Sequence, residues 1–248
     1  MDIDLTSRVV AITGASSGIG EATALACARA GAAVALAARR ADRIEALAAR
    51  IVQEGGRAIA IPTDVSDEAQ ARAFIERTHG EFSRLDVLVN NAGVMLLGPI
   101  ENAPTQEWRT MIEANVFGVL YCTHAALGLM REQGSGHIVN VSSVAGRVAR
   151  AGSGVYNLTK FGIGAFSEAL RQEGVEIGLR VTLIEPGAVA TELAGHNRPE
   201  VLEQIAKRFA GVQPLVAEDI ATAILYAISQ PPHVSINEVL VRPSGQLG

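Results

Sequence analysis

Along this chain short apolar runs alternate with longer stretches in which apolar residues recur every three or four positions. The runs Arg8–Thr13, Ala33–Ala38, Arg57–Pro62, Asp86–Val89, His137–Val141, Arg180–Ile184 and Glu238–Val241 are apolar nearly throughout, as strands covered on both faces should be. The stretches between them predict helices near Ile19–Ala30, Arg43–Glu54, Glu68–Phe82, Thr105–Gln133, Val155–Val175 and Ala217–Ser229, several opening on Ser, Thr or Asp and closing near Gly. Strand and helix in alternation make βαβ units, so the expected fold is a doubly wound α/β domain with a seven-stranded parallel sheet and helices on both faces. No linker, repeat, low-complexity tract or charge block interrupts the rhythm, and residues 1–248 read as one domain. One segment breaks the period. Thr191–Pro214 is polar and irregular, and reads as a lid over a cleft, with an ordinary surface helical hairpin as the plainer alternative.

The first strand runs directly into Thr13-Gly14-Ala15-Ser16-Ser17-Gly18-Ile19-Gly20 and then into a helix. That arrangement suits a pyrophosphate: Gly14 permits a tight turn, Gly18 lets backbone approach a ligand, Gly20 lets helix and sheet pack closely, and the helix end offers unpaired N–H groups. The spacing G-x3-G-x-G differs from G-x-G-x-x-G, but its place at the start of a βαβ unit makes a Rossmann-type dinucleotide site the natural reading. An NAD-preferring site would carry an acid at the end of the second strand, where this chain has Ala37-Ala38-Arg39-Arg40. Two guanidinium groups suit a 2′-phosphate, so NADP(H) is the expected cofactor, with Arg39 the main contact and Arg40 secondary. In the alternative, both arginines merely solvate a helix start and Asp42 reaches a ribose.

Tyr156 and Lys160 stand at i and i+4 on a predicted helix, so their side chains leave from one face, and the chain has only three tyrosines and two lysines. A phenol is a poor proton shuttle at neutral pH, and a cation about 4 Å away is expected to bring it down toward 7. Ser142-Ser143 closes the fifth strand at the carboxyl edge where such sheets gather ligands, placing Ser143 to hold a carbonyl oxygen, though a strand-end turn would also explain it.

Composition then narrows the function. With 26 acidic against 21 basic residues the chain carries a net charge of −5, which gives no footprint for nucleic acid and no basic membrane anchor. Acids near the N-terminus are unlike a secretory signal, no apolar run approaches the roughly 20 residues of a membrane span, and a cytoplasmic protein is expected. Cys27 and Cys122 lack CxxC spacing and read as buried apolar residues. There is no G-x-S-x-G and no HExxH, and the five histidines are scattered, so hydrolase and metalloenzyme readings fail and no metal is expected.

Together these residues resemble the short-chain dehydrogenase/reductase family over essentially the whole chain. Thr13–Gly20 is similar to its TGxxxGxG motif, Asn90-Asn91-Ala92-Gly93 to its NNAG motif, Tyr156–Lys160 to YxxxK, and Pro186-Gly187 to its PG motif. The resemblance implies Tyr156 as general acid/base, Lys160 lowering its pKa and holding the nicotinamide ribose, and Ser143 orienting the carbonyl. It makes Asn115 the residue that kinks the fourth helix and supports a proton-carrying water. It also implies contacts to adenine from Asp64 and Val65, to the adenosine side from Asn91 and Gly93 of the Asn91-Ala92-Gly93 turn, and to the carboxamide from Val189 and Thr191. The Ala38-Arg39 pair fits the NADP-preferring branch. Gly93–Pro99, Ala145–Val148, Phe166–Glu173 and Ile184–Gly187 are further similar to the clavulanate dehydrogenase group, which reduces a β-lactam aldehyde.

The expected activity is therefore NADPH-dependent reduction of an aldehyde or ketone, or its reverse on an alcohol. The alternative is a non-catalytic NADP(H)-binding regulatory or scaffold protein. Met95, Leu96, Ala145, Arg147 and the Thr191–Pro214 segment are expected to wall the substrate pocket, with Arg147 either a handle for a carboxylate or a surface residue, and His196 a minor candidate. The resemblance implies packing of the fourth and fifth helices across a two-fold axis, and a homotetramer.

Overall fold

In the computed structural model, which describes residues 3–247, the strands are β1 (Val9–Thr13), β2 (Ala33–Ala38), β3 (Arg57–Pro62), β4 (Val87–Asn90), β5 (Gly136–Val141), β6 (Leu179–Pro186) and β7 (Glu238–Val241). All pair parallel, in the order β3-β2-β1-β4-β5-β6-β7. The winding reverses between β1 and β4, and the crevice outside their carboxyl ends is where a sheet of this kind takes a ligand.

Alternation along the strands explains the two covered faces. Val10, Ile12, Val34, Leu36, Val87 and Val89 point into one layer with Cys27 of α1 (Gly18–Arg29), Ile44, Leu47 and Ile51 of α2 (Ala41–Gln53), and Ile220, Ile224 and Ile228 of α8 (Ala217–Ser229). The intervening Ala11, Ala35, Ala37 and Leu88 face Phe74 and Ile75 of α3 (Glu68–Phe82), Cys122, Ala126 and Met130 of α5 (Gly118–Gln133), and Leu170 of α6 (Gly154–Glu173). The two cysteines thus lie in opposite layers, and burial pushes both thiols up to about 12.

Two elements differ from the sequence reading. The helix expected over Thr105–Gln133 is continuous, but α4 (Thr105–Ile112) joins α5 through a π turn at Glu113–Phe117. By length and composition alone this 29-residue helix would pass for a membrane span, at a mean hydropathy of 1.2, which corrects the expectation that nothing approached that threshold. One face of it packs into the core, through Met111, Val119, Cys122, Ala126 and Met130. The Thr191–Pro214 segment, expected to be irregular, holds a 3-10 turn at Glu192–His196 and α7 (Pro199–Arg208). Pro199 opens α7, where a missing N–H costs nothing.

His137 on β5 is buried, and burial holds its pKa down at about 3, helped by the nearby charges of Arg180 and Arg8. Its Nε2 lies 2.7 Å from Thr182 Oγ1, whose own proton goes to the Ile236 carbonyl, so Nε2 is the donor. Among the described residues Nδ1 has no partner, and protonating it would bury an unsatisfied N–H⁺. The folded pKa lies below the unfolded value, so this stability is complete above about 6.5 and is lost as pH falls toward 3. Denaturant unfolding between pH 6.5 and 4 is expected to show a slope of up to about 1.4 kcal/mol per pH unit that is missing in His137→Gln. Equal slopes in the two proteins would exclude His137 as its source.

Candidate active site

The carboxyl ends of β1, β4, β5 and β6 open into one cleft of about 930 Å³. On its dinucleotide side Gly14 adopts φ +66°, and a Cβ there would meet Ala92 Cα at 2.8 Å. A Cβ on Gly20 would run into the Gly14 carbonyl, so the first turn of α1 closes on the β1 turn only because both positions lack side chains. The strand end is tied across the switch point. Thr13 Oγ1 accepts from the Asn91 and Ala92 amides, each at 3.0 Å, while Asn91 Nδ2 donates to the Thr13 and Gly14 carbonyls at 3.0 and 3.2 Å.

On the other side, α6 presents Tyr156 and Lys160 from one face, both buried. The Lys160 ammonium donates to the Val141 carbonyl at 2.9 Å and lies 5.8 Å from the Tyr156 ring centroid. Burial pushes the phenol up to about 12, and a hydrogen bond with Ser143 is what draws it back. Burial likewise lowers Lys160 to about 8. Burial therefore sets the direction of the phenol's shift, opposite to the one expected from Lys160, whose ammonium is committed to a backbone carbonyl.

Ser143, two residues past β5 in extended backbone, accepts from the Ala145 amide at 3.1 Å and donates to the Pro186 carbonyl at 3.4 Å, so its hydroxyl is fixed beside the phenol. The π turn turns Asn115 inward, where it is buried. Its Oδ1 accepts from the Val94 amide at 2.7 Å, and its Nδ2 donates to the Val94 carbonyl at 2.8 Å and to Thr159 Oγ1 at 3.3 Å. One amide side chain therefore joins the turn after β4 to the helix carrying Tyr156.

Most of the residues singled out in the sequence line this single cleft: Gly14, Ser16, Ser17, Gly18, Ile19, Arg39, Arg40, Asp64, Val65, Asn91, Ala92, Gly93, Met95, Ser143, Ala145, Tyr156, Lys160, Pro186, Gly187, Val189 and Thr191. Gly20 and Asn115 stand behind it as supports. Arg147 and Leu96 are not on its wall. Arg147 is held by Glu185 through Nε at 2.6 Å and also pairs with Glu238, so it is no handle for a substrate.

The wall instead carries Leu97, Val148, Arg150, Ile205, Arg208 and Phe209, with His196 also on it. Burial and the charge of Arg150 both lower the Arg208 pKa. Two asparagines escaped the sequence reading. Asn157 donates to the Ala145 and Val148 carbonyls at 2.7 and 3.0 Å and accepts from the Arg150 amide and the Ser153 hydroxyl, bracing the loop after β5. Asn197 accepts from the Leu97 amide at 2.7 Å and donates to the Met95 carbonyl at 2.9 Å, pinning the Thr191–Pro214 segment to the loop after β4.

A family model described as short chain dehydrogenase matches residues 8–202. The chain belongs to that family. Among its members, an uncharacterized oxidoreductase of Staphylococcus saprophyticus is 42% identical over 98% of this chain and 98% of its own length. Two solved short-chain dehydrogenase folds superpose closely: a serine dehydrogenase in its closed form with NADP+, 32% identical with a TM-score of 0.90 over 97% of each chain, and an alcohol dehydrogenase from the archaeon Thermococcus sibiricus with 5-hydroxy-NADP, 31% identical with a TM-score of 0.87 over 97% of this chain and 98% of that one. The protein is therefore an oxidoreductase of the short-chain dehydrogenase family.

Proposed function

We propose that the protein is an NADP(H)-dependent reductase of aldehydes and ketones, working in reverse on the corresponding alcohols. The observation that carries this reading is a buried Tyr156 phenol beside Ser143, opening on the same cleft as the glycine cradle. The cradle fits a dinucleotide on its own geometry, since the contact of Gly14 with Ala92 leaves no room for a side chain and Ser16–Ile19, where α1 begins, line the cleft. Arg39, exposed at the end of β2 on the same wall and without an ion pair among the described residues, is the group for a 2′-phosphate. Both structural neighbours named above were crystallised with an NADP species, which agrees with that choice.

When bound, the nicotinamide supplies the hydride. This chain supplies position and a proton. Ser143 holds the carbonyl oxygen beside the phenol, and Tyr156, kept protonated through the neutral range by burial, gives its proton to that oxygen as negative charge develops there. Lys160, an ammonium at neutral pH even with its pKa lowered to about 8, adds a positive charge beside the ring and is the donor for ribose hydroxyls. In the alcohol direction the phenol must first lose its proton, so oxidation is expected to favour alkaline pH. The exposed apolar rings of Phe117 and Phe161, with Leu158, are what association of α5 and α6 into a homotetramer would cover. A sedimentation run showing monomer alone would remove that assembly, and with it nothing of the chemistry.

Mixing the protein with NADPH and a panel of aliphatic and aromatic carbonyls, and following nicotinamide absorbance, tests the activity. Oxidation of NADPH that depends on the carbonyl is expected. Tight NADPH binding with no oxidation across a broad panel would instead favour the non-catalytic alternative.

A further inference from the structure

Glu192 belongs to the segment that walls the substrate half of the cleft, yet both of its oxygens are bound on the dinucleotide half. Oε2 accepts from Arg40 Nη1 at 2.7 Å and Oε1 from Arg43 Nη1 at 2.8 Å, and the Ser17 hydroxyl bonds the same carboxylate. Arg40 also donates to the cradle: to Ser16 Oγ through Nε at 3.1 Å and Nη2 at 2.8 Å, and to Ser17 Oγ through Nη2 at 2.8 Å. Its fork is thus occupied by two cradle serines and one carboxylate. Its neighbour Arg39 is exposed and makes no hydrogen bond or ion pair among the described residues.

We propose that Glu192 and Arg40 form a clasp that closes the Thr191–Pro214 segment onto the glycine cradle, Glu192 being a positioning residue for the substrate wall and Arg40 serving the clasp instead of a phosphate. The proposal rests on reading the cleft as a dinucleotide and carbonyl site. At 41%, 46% and 48% side-chain exposure, the three charges would count for little as isolated pairs. Here one carboxylate takes two guanidinium groups, and one of those is already ordered by two hydroxyls from the loop after β1, so the ordering cost is shared across three elements. Asn197 anchors the same segment to the loop after β4. The substrate wall is therefore fastened to the loop after β4 by Asn197 and Arg198, Arg198 also pairing with Glu107 at 3.9 Å, and to the cradle by Glu192; salt is expected to loosen the Glu192 clasp and to spare the neutral Asn197 contacts.

Hydrogen–deuterium exchange on E192Q and R40Q, with E192D as the conservative variant, tests the clasp. Amides of residues 193–197 are expected to exchange about five- to tenfold faster in E192Q and R40Q, with partial recovery in E192D and a similar acceleration of the wild type in 1 M salt. The ratio of NADH to NADPH dissociation constants, measured by fluorescence titration, is expected to stay within about twofold of wild type in both variants. Unchanged exchange in E192Q would overturn the clasp, and a ratio collapsing toward one in R40Q would overturn the role given to Arg40. Neither measurement needs turnover: a wild type that reduces no carbonyl would cancel the proposed activity, while the exchange rates would still decide the clasp.

Discussion

Replacing Tyr156 with phenylalanine is expected to lower kcat/KM for carbonyl reduction by about 10²–10⁴-fold while leaving NADPH affinity within a few-fold of wild type. The substitution removes one oxygen from a ring that is buried, so the packing of α6 is kept and the loss belongs to the proton. The size follows from what the phenol does. It is the phenol that lies beside Ser143 in the cleft, its pKa raised by burial, and without it a developing alkoxide would have to take its proton from water. Absorbance at the nicotinamide band, with a separate fluorescence titration of NADPH, separates the two effects. Turnover unchanged in the variant would end the assignment of Tyr156 as the acid.

The second large effect is expected at Arg39. Its replacement by alanine should weaken NADPH by about 10- to 150-fold, the equivalent of one charge-assisted contact of roughly 1.5–3 kcal/mol, and leave NADH almost unmoved. Arg39 is exposed and unpaired among the described residues, whereas Arg40 is occupied by Ser16, Ser17 and Glu192. Equal losses for the two dinucleotides in titrations of Arg39→Ala would show that the side chain reads no 2′-phosphate.

Much of this architecture was legible because parallel strands are buried on both faces and therefore spell uninterrupted apolar runs. The predicted strands differ from β1, β4, β5 and β6 by one or two residues at their ends, where polar residues such as Asp86, Asn90 and Glu185 are buried like their apolar neighbours and the hydropathy pattern gives no stop. Helix α7 was missed although its signals were present. Pro199 at the first position, Glu200 in the first turn and Lys207 and Arg208 in the last are ordinary helix marks, but only Val201 among its residues is buried, so the apolar stripe was short. The π turn left one trace in the sequence, an asparagine in an apolar helix, and no trace of the extra residue per turn that aims it inward.

Charges were the least legible. Arg147 was placed at the cleft because it follows β5, and its real partners, Glu185 and Glu238, lie 38 and 91 residues away along the chain. The Tyr156–Lys160 spacing was readable from helix geometry, but the balance between burial and attraction depends on what packs around α6, which spacing alone does not carry. Glu192 gave no signal at all, since a single acid in a polar segment looks like solvent-facing decoration.

Three amides hold the loops that shape the cleft: Asn115 grips Val94, Asn157 grips Ala145 and Val148, and Asn197 grips Met95 and Leu97. Carboxamides neither gain nor lose protons in water, and neutral contacts between them and backbone are not screened by dissolved ions. Form and ionisation are thereby decoupled in the loops after β4 and β5: salt is expected to act on the cleft through the Glu192 ion pairs and acid on the fold through His137, while these carboxamide anchors answer to neither.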